Sequence, residues 1–222
     1  MFSRLATGAI VGLLAIAGST AHAIEKVTVG NAKVIVKTVT GTFEADQRRI
    51  KLLDDIYHNE LVETGDESAT EFVFLDETKL ALGPNSSMVL DRFVYDPDPS
   101  KASFVMTATA GVFRFVSGKL PKKSYEIHTP TATIGVRGTV FSIVVIPGNP
   151  DKMGIGPVVN VTVEQGVAEI TSCGGKHVAL VRSGQSTTIS GTADGTCSAP
   201  SLPGPQPSKF ATLVSESGVG VQ

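Results

Sequence analysis

The sequence predicts an all-β protein: an elongated two-sheet sandwich or a short solenoid-like β-roll, with a β-hairpin extension on its C-terminal side. Three observations predict it. Strand-length segments recur at near-regular spacing over 70–75, 78–82, 87–95, 102–108, 111–116, 124–128, 132–134 and 139–146. Turn chemistry separates them: Asp76-Glu77, Gly83-Pro84-Asn85, Asp96-Pro97-Asp98-Pro99, Ser117-Gly118 and Pro147-Gly148-Asn149-Pro150. Gly and Pro there supply or fix the φ values that tight turns need. A second series over 158–163, 167–171, 177–181 and 186–190, punctuated by Gly166, Gly174-Gly175, Gly184 and Gly191, continues the same body.

Ahead of this rhythm, Thr28-Val29 and Val34-Ile35-Val36 alternate with polar residues and stop at Gly41, as a first strand pair would. The stretch 44–57 is polar and weakly periodic, which predicts a loop with a short helical turn. From Ser198 the composition shifts to Pro200, Pro203, Pro205 and Pro207 among Ser and Gly, the signature of an extended or disordered tail. Within that tail, 210–214 is apolar enough for a short docking element.

The N-terminus reads as a secretory leader. Arg4 precedes an uncharged run from Leu5 to Ala21, and Ala21-His22-Ala23 has the small-x-small pattern of a cleavage site. The predicted organisation is a signal peptide over 1–23, a β domain with its extension over 24–197, and a tail over 198–222. The rival is an uncleaved anchor, but the run falls short of the roughly 20 residues of a full span and is dotted with Gly, Ser and Thr. No later apolar stretch is long enough to cross a bilayer. The expectation is an exported protein, in the periplasm first, with the cell surface or the medium as alternatives. Without Arg4, 18 basic residues face 21 acidic ones and no basic cluster stands out, so nucleic acid is not an expected partner.

Two cysteines follow the leader, Cys173 and Cys197. In an oxidising compartment a pair of this kind forms a bridge; two free buried thiols are the alternative. Neither these cysteines with His177 nor the Asp-Pro-Asp-Pro run has metal-ligand spacing, so no metal and no cofactor is expected. His58, His128 and His177 stand in no local constellation with a nucleophile, and Gly83-Pro84-Asn85-Ser86-Ser87 reads as a turn, so no enzyme is expected.

Four stretches, over roughly 54–145, carry a family resemblance. They are 59–69 (NELVETGDESA), 72–86 (FVFLDETKLALGPNS), 111–118 (GVFRFVSG) and 129–141 (TPTATIGVRGTVF). Together they resemble the FecR-type periplasmic domain, the last stretch being its hallmark. One departure is Glu77, where the family usually has Gly in an Asp-Gly-Thr turn. The resemblance implies the fold and a sensing or binding role. The family's regulators carry a signal from an iron-siderophore receptor to a sigma factor through a cytoplasmic anti-sigma segment and one membrane span. This sequence is expected to lack both parts, so the full pathway is not implied.

In the hallmark, Pro130 holds its predecessor extended, and Ala132, Ile134 and Val136 share one face by period two. Gly135 and Gly138 are expected to permit a bulge or a close backbone approach before Thr139. Arg137 is the one Asp, Glu, Lys or Arg between Glu126 and Asp151. It is expected to be paired, with Glu60 and Asp76 as candidate partners, and to act either as a clamp between strands or as a recognition residue. Arg114, between Phe113 and Phe115, should point to a solvated face.

The leading functional expectation is a non-catalytic exported module that binds a protein or envelope component. A structural or adhesive envelope component, acting by self-association along strand edges, is the alternative.

Overall fold

The computed structural model describes residues 26–94, 96, 98, 100–149, 156–192 and 194–205. Strands are numbered along the chain. One sheet runs, in spatial order, β4 (Asp55–Tyr57), β1 (Thr28–Val36), β6 (Ala69–Phe74), β7 (Lys79–Leu82), the second half of β9 (Ser103–Val116), β12 (Val140–Ile146), β13 (Val158–Gln165), β16 (Gln185–Ser190) and β17 (Gly204–Pro205). The other runs β3 (Asp46–Arg49), β2 (Val39–Phe43), β5 (Leu61–Thr64), β8 (Ser87–Val94), the first half of β9, β10 (Tyr125–His128), β11 (Ala132–Val136), β14 (Val167–Ser172) and β15 (Val178–Arg182). Every pairing is antiparallel except β9 with β10, and neither sheet closes into a barrel. The fold is therefore the all-β two-sheet body that the spacing of strands and turns predicts. No helix among the described residues is long and apolar enough to cross a membrane.

Period two decides what lies between the sheets. Phe72, Phe74, Leu80, Leu82, Phe113, Phe115, Phe141 and Ile143 point inward from the first sheet. Met88, Leu90, Phe104, Met106, Tyr125, Ile127 and Ile134 point inward from the second. They merge into one core. Burying each of these side chains contributes about 1.5–3 kcal/mol. The aromatic rings form a contiguous row, with centroids 5.1 Å apart for Phe74–Phe104, 5.5 Å for Phe104–Phe115 and 5.2 Å for Phe115–Phe141.

Phe104 and Phe115 belong to the same strand. In a straight strand, 11 residues at about 3.3 Å each would set them roughly 36 Å apart. They touch because β9 turns a corner at Ala110-Gly111. Its first half pairs with β8 and β10, and its second half with β7 and β12. Gly111 makes the corner, at φ +105°, with Ser86 packed where its side chain would be. The sequence predicts two strands here, 102–108 and 111–116. The structure makes them one in hydrogen-bond continuity and two in sheet membership.

Two expectations are corrected. The stretch 44–57 is not a loop with a helical turn but holds β3 and β4, each at the edge of a sheet. An edge strand buries little, so β3 carries Asp46, Gln47, Arg48 and Arg49 with no period-two signal. The family-like opening turn at 59–69 contains strand β5, whose Val62 and Thr64 face inward. The described part of the Pro-rich segment runs along β16, with Ser198 N–H donating to Ser190 O (2.8 Å) and Ser201 N–H to Thr188 O (2.9 Å). The predicted leader over 1–23 and the 210–214 element lie outside the described residues.

Candidate functional site

The residues that the sequence singles out fall into two groups, one buried and one on an outer face. Asp76 is fully buried. Its carboxylate accepts from Thr78 N–H (3.0 Å), the Thr78 hydroxyl (2.6 Å) and the Tyr125 hydroxyl (2.7 Å). Gly118 N–H donates to Thr78 Oγ1 (3.1 Å), Lys119 N–H to Asp76 O (2.7 Å) and Leu120 N–H to Tyr125 Oη (3.0 Å). The turn between β6 and β7 is thus locked onto the turn after β9. Glu77 holds φ +67° in it, a left-handed conformation that favours glycine, which accounts for the family's usual Gly at this position. Burial, joined by the Asp76 carboxylate and opposed by hydrogen bonds from Thr78 and Leu120, raises the Tyr125 pKa well above the usual phenol range.

That shift gives a signed prediction. A raised folded-state pKa leaves stability intact below the unfolded value, about 10, and removes it as pH climbs toward the folded value. Tyr125→Phe is expected to lose about 1–3 kcal/mol at pH 7, since buried partners go unpaired. Between pH 9 and pH 11 the gap to wild type should narrow. Urea midpoints at these pH values check it, and a gap constant with pH would contradict the account.

Gly83-Pro84-Asn85 is a second lock. The Thr64 hydroxyl donates to Gly83 O (2.6 Å) and accepts from Ser86 N–H (2.9 Å), and Asn85 Nδ2 donates to Asp66 Oδ1 (2.9 Å). Thr139, in the hallmark, donates its N–H to Ser117 Oγ (3.2 Å). The four family-like stretches are therefore turns and strands fastened to one another by short polar side chains.

Glu60 is fully buried and accepts from Arg48 Nε (2.8 Å), Arg48 Nη2 (3.1 Å) and Tyr57 N–H (3.1 Å). The Arg48 guanidinium also lies 5.0 Å over the Tyr57 ring. Burial works against the Arg48 charge, but the hydrogen bond and charge of Glu60 outweigh it and raise its pKa. Sequence reasoning missed Arg48, because the polar run around it carries no periodicity to mark one residue as inward.

Arg137 meets neither Glu60 nor Asp76, and the expected pairing is corrected. It follows β11 on the outer face of the second sheet and pairs with Glu169 of β14, both side chains substantially exposed. Glu60 and Asp76 sit between the sheets, where a residue leaving the outer face cannot reach them. Arg114 likewise lies on an outer face, its fork on Glu164 at 3.1 Å and 2.9 Å. Gly135 has ordinary room for a side chain, 3.8 Å from Glu169 Cβ, so no close approach requires it. Gly138 does sit at φ +70°.

The Arg137–Glu169 pair lies beside a sheet edge. Gly135 pairs with Glu169, and Glu169 with Leu180 of β15. Beyond β15 no further strand pairs among the described residues, and Val178 and Leu180 are 60% and 45% exposed there. The other three edges are blunted: β3 is wholly polar, β4 has three residues, and β17 has two and ends in Pro205. Sequence alternation missed this, because the near-continuous apolar run at Val178-Ala179-Leu180-Val181 reads as a strand buried on both faces.

Cys173 and Cys197 are disulfide-bonded, with Cα atoms 5.7 Å apart. The bond ties the end of β14, in the second sheet, to the segment that bridges back to Gly191 after β16. Cys173→Ala with Cys197→Ala is expected to lower stability by about 3.5 kcal/mol in the chain-entropy treatment. Reductant should lower the urea midpoint of the wild type and leave the double variant unchanged.

Comparison with known proteins fits this geometry. Residues 60–169 match the family described as FecR protein, extending past the motif-bearing 54–145 through β13 and into β14. Two crystal structures of a candidate anti-sigma factor from Parabacteroides distasonis ATCC 8503 are similar. They show 14% and 13% sequence identity with TM-scores of 0.49 and 0.48, and each match covers 68% of this chain. The chain spans 62% of the length of those structures. No curated protein matches. With the motif stretches interlocked across two sheets, residues 60–169 of the chain are a FecR protein domain.

Proposed function

We propose that this protein is a non-catalytic binding and signalling module that takes an extended segment of a protein partner along the β15 edge. The observation that carries this reading is the contrast among the four sheet edges. Three are short, charged or end in proline, and β15 alone presents five residues with Val178 and Leu180 exposed. Main-chain hydrogen bonds would supply affinity, and side-chain contacts on alternate residues would supply specificity. Arg137 and Glu169, next to Leu180, would read the partner's charge. The module would work outside the cytoplasm. The small-x-small pattern at Ala21-His22-Ala23 and the Cys173–Cys197 bond both favour an oxidising compartment.

Crosslinking in cells with tagged wild type and with Val178→Lys/Leu180→Lys tests it. The charged edge is expected to abolish capture of a protein partner while leaving the unfolding free energy within about 0.5 kcal/mol, since both positions are exposed. Undiminished capture would exclude the β15 edge. Sedimentation separates self-association: concentration-dependent oligomers of the wild type, absent in the variant, would turn the same edge into an assembly surface between copies of this chain.

A further inference from the structure

The outer face of the second sheet carries a second feature, a cleft of about 590 Å³ open to solvent. Its cations are Arg92, Lys122 and Lys123, and Ser103 and Ser124 add hydroxyls; the hydroxyl of Ser100, also in the lining, donates to Asp98 Oδ1 (2.7 Å). Val105 and Glu126 also line it. The register explains the arrangement: Arg92 pairs with Val105, and Val105 with Glu126, so the three form one row across β8, β9 and β10. Lys122–Ser124 is a single 3-10 turn beside that row.

Two devices aim cations into this cleft. The first is a β-bulge between Leu90 and Arg92, which breaks the alternation and leaves both Asp91 and Arg92 on the outer face. Asp91 is engaged, its carboxylate accepting from the Thr107 hydroxyl (2.8 Å). Arg92 has no ion pair among the described residues, whereas Arg48, Arg114 and Arg137 each hold a carboxylate. The second device is Gly138. A Cβ there would stand 2.8 Å from Lys122 Cε and 3.1 Å from its Cδ, so the lysine stem lies across the hallmark turn in space that only a glycine leaves free. Lys122 and Lys123 have no ion pair among the described residues either, and Glu126 pairs with His128 (3.0 Å).

The lining holds three cations and one carboxylate, and the Asp98 carboxylate at its rim is paired with Lys101 (3.8 Å), so in a chain of formal net charge −2 the positive potential is local. The volume suits a small ligand rather than a macromolecular face. Lysine and arginine with serine hydroxyls are phosphate-binding chemistry: charge from the first, directed donors from both. We infer that this cleft binds a phosphate group carried on a small polar scaffold, either as a free sugar phosphate or as a lipid headgroup. The site is separate from the β15 edge. Five strand spacings lie between Arg92 and Leu180 along one row, roughly 24 Å.

The test is an amide-resolved NMR titration of the full chain with glucose 6-phosphate, with glucose as the neutral control. A parallel arm measures cosedimentation with phosphatidylglycerol and phosphatidylcholine vesicles. Saturable shifts at Ser100–Val105 and Lys122–Glu126 with the sugar phosphate alone are expected for a free ligand. Preferential binding to phosphatidylglycerol is expected for a headgroup. With the sugar phosphate Arg92→Gln/Lys122→Gln should weaken binding at least tenfold, and Val178→Lys/Leu180→Lys should not change it; with vesicles Arg92→Gln/Lys122→Gln should weaken binding more than the same loss of charge outside the cleft, Lys33→Gln/Lys51→Gln. Both replaced cations are exposed, so unfolding midpoints should match the wild type. Shifts equal with glucose, shifts spread over lysines outside the cleft, or undiminished affinity in the Arg92/Lys122 variant would overturn the assignment, as would absence of binding in both arms.

Discussion

Gly111→Ala is expected to lose about 3 kcal/mol or more, among the largest effects of any single substitution in this fold. Two costs add. A residue with a Cβ at φ +105° is strained by about 1–2 kcal/mol. The new methyl would also stand 2.5 Å from Ser86 Cβ and closer still to its Oγ and Cα, an overpacking cost of about 1–3 kcal/mol. Ser86 cannot simply move aside. Its hydroxyl donates to Gly83 O (2.9 Å) and accepts from Val112 N–H (3.0 Å), so displacement would unpick the lock that seats β9. Set against a total stability of about 5–15 kcal/mol, the loss is large. Urea unfolding followed by circular dichroism reads it, with Gly135→Ala as control, where ordinary room should keep the change within about 0.5 kcal/mol. Equal midpoints for the two variants would mean that the corner of β9 does not depend on this glycine.

The second large effect is at Arg48. Arg48→Ala strands the fully buried Glu60 carboxylate with Tyr57 N–H as its remaining donor, and the loss is expected to be about 3–5 kcal/mol. The double replacement Arg48→Met/Glu60→Leu should recover most of it, since the penalty lies in an uncompensated buried charge rather than in the pair's net attraction. Arg114 offers the comparison. Its contacts with Glu164 have similar geometry, but the two side chains are 27% and 35% exposed, and Arg114→Ala should cost no more than about 1 kcal/mol. Arg137→Ala, on a still more exposed pair, should cost least. A double-mutant cycle at 48 and 60 with coupling under about 1 kcal/mol would show that Glu60 is not held by Arg48.

This ranking reverses the one that charge pattern suggests. Arg137 stands out in the sequence because its neighbours are apolar, yet solvent reaches it. Arg48 is hidden among Asp46, Gln47 and Arg49, yet its partner is sealed in the interior. Linear context reports what flanks a charge along the chain, whereas the energy of a charge depends on what surrounds it in space. Asp76 shows the same divide. Its motif marks a turn, but the hydroxyl that completes its hydrogen bonding comes from Tyr125, distant in sequence.

By itself the sequence determined the all-β class, nearly every strand from 70 onward, the turns between them, the disulfide partners and the FecR-like stretches. All of these are local signals: period-two alternation, turn residues, a single cysteine pair and contiguous motifs. Only the tertiary structure decided that β9 serves both sheets and that β3 and β4 are strands. It also decided that Glu60 and Asp76 are internal locks, that β15 is an edge with no further partner among the described residues, and that Arg92 and Lys122 share a cleft. The physical reason is common to all five. Pairing across sheets, burial of a charge and exposure of an edge are set by contacts between residues far apart along the chain, and no residue's immediate neighbours encode them.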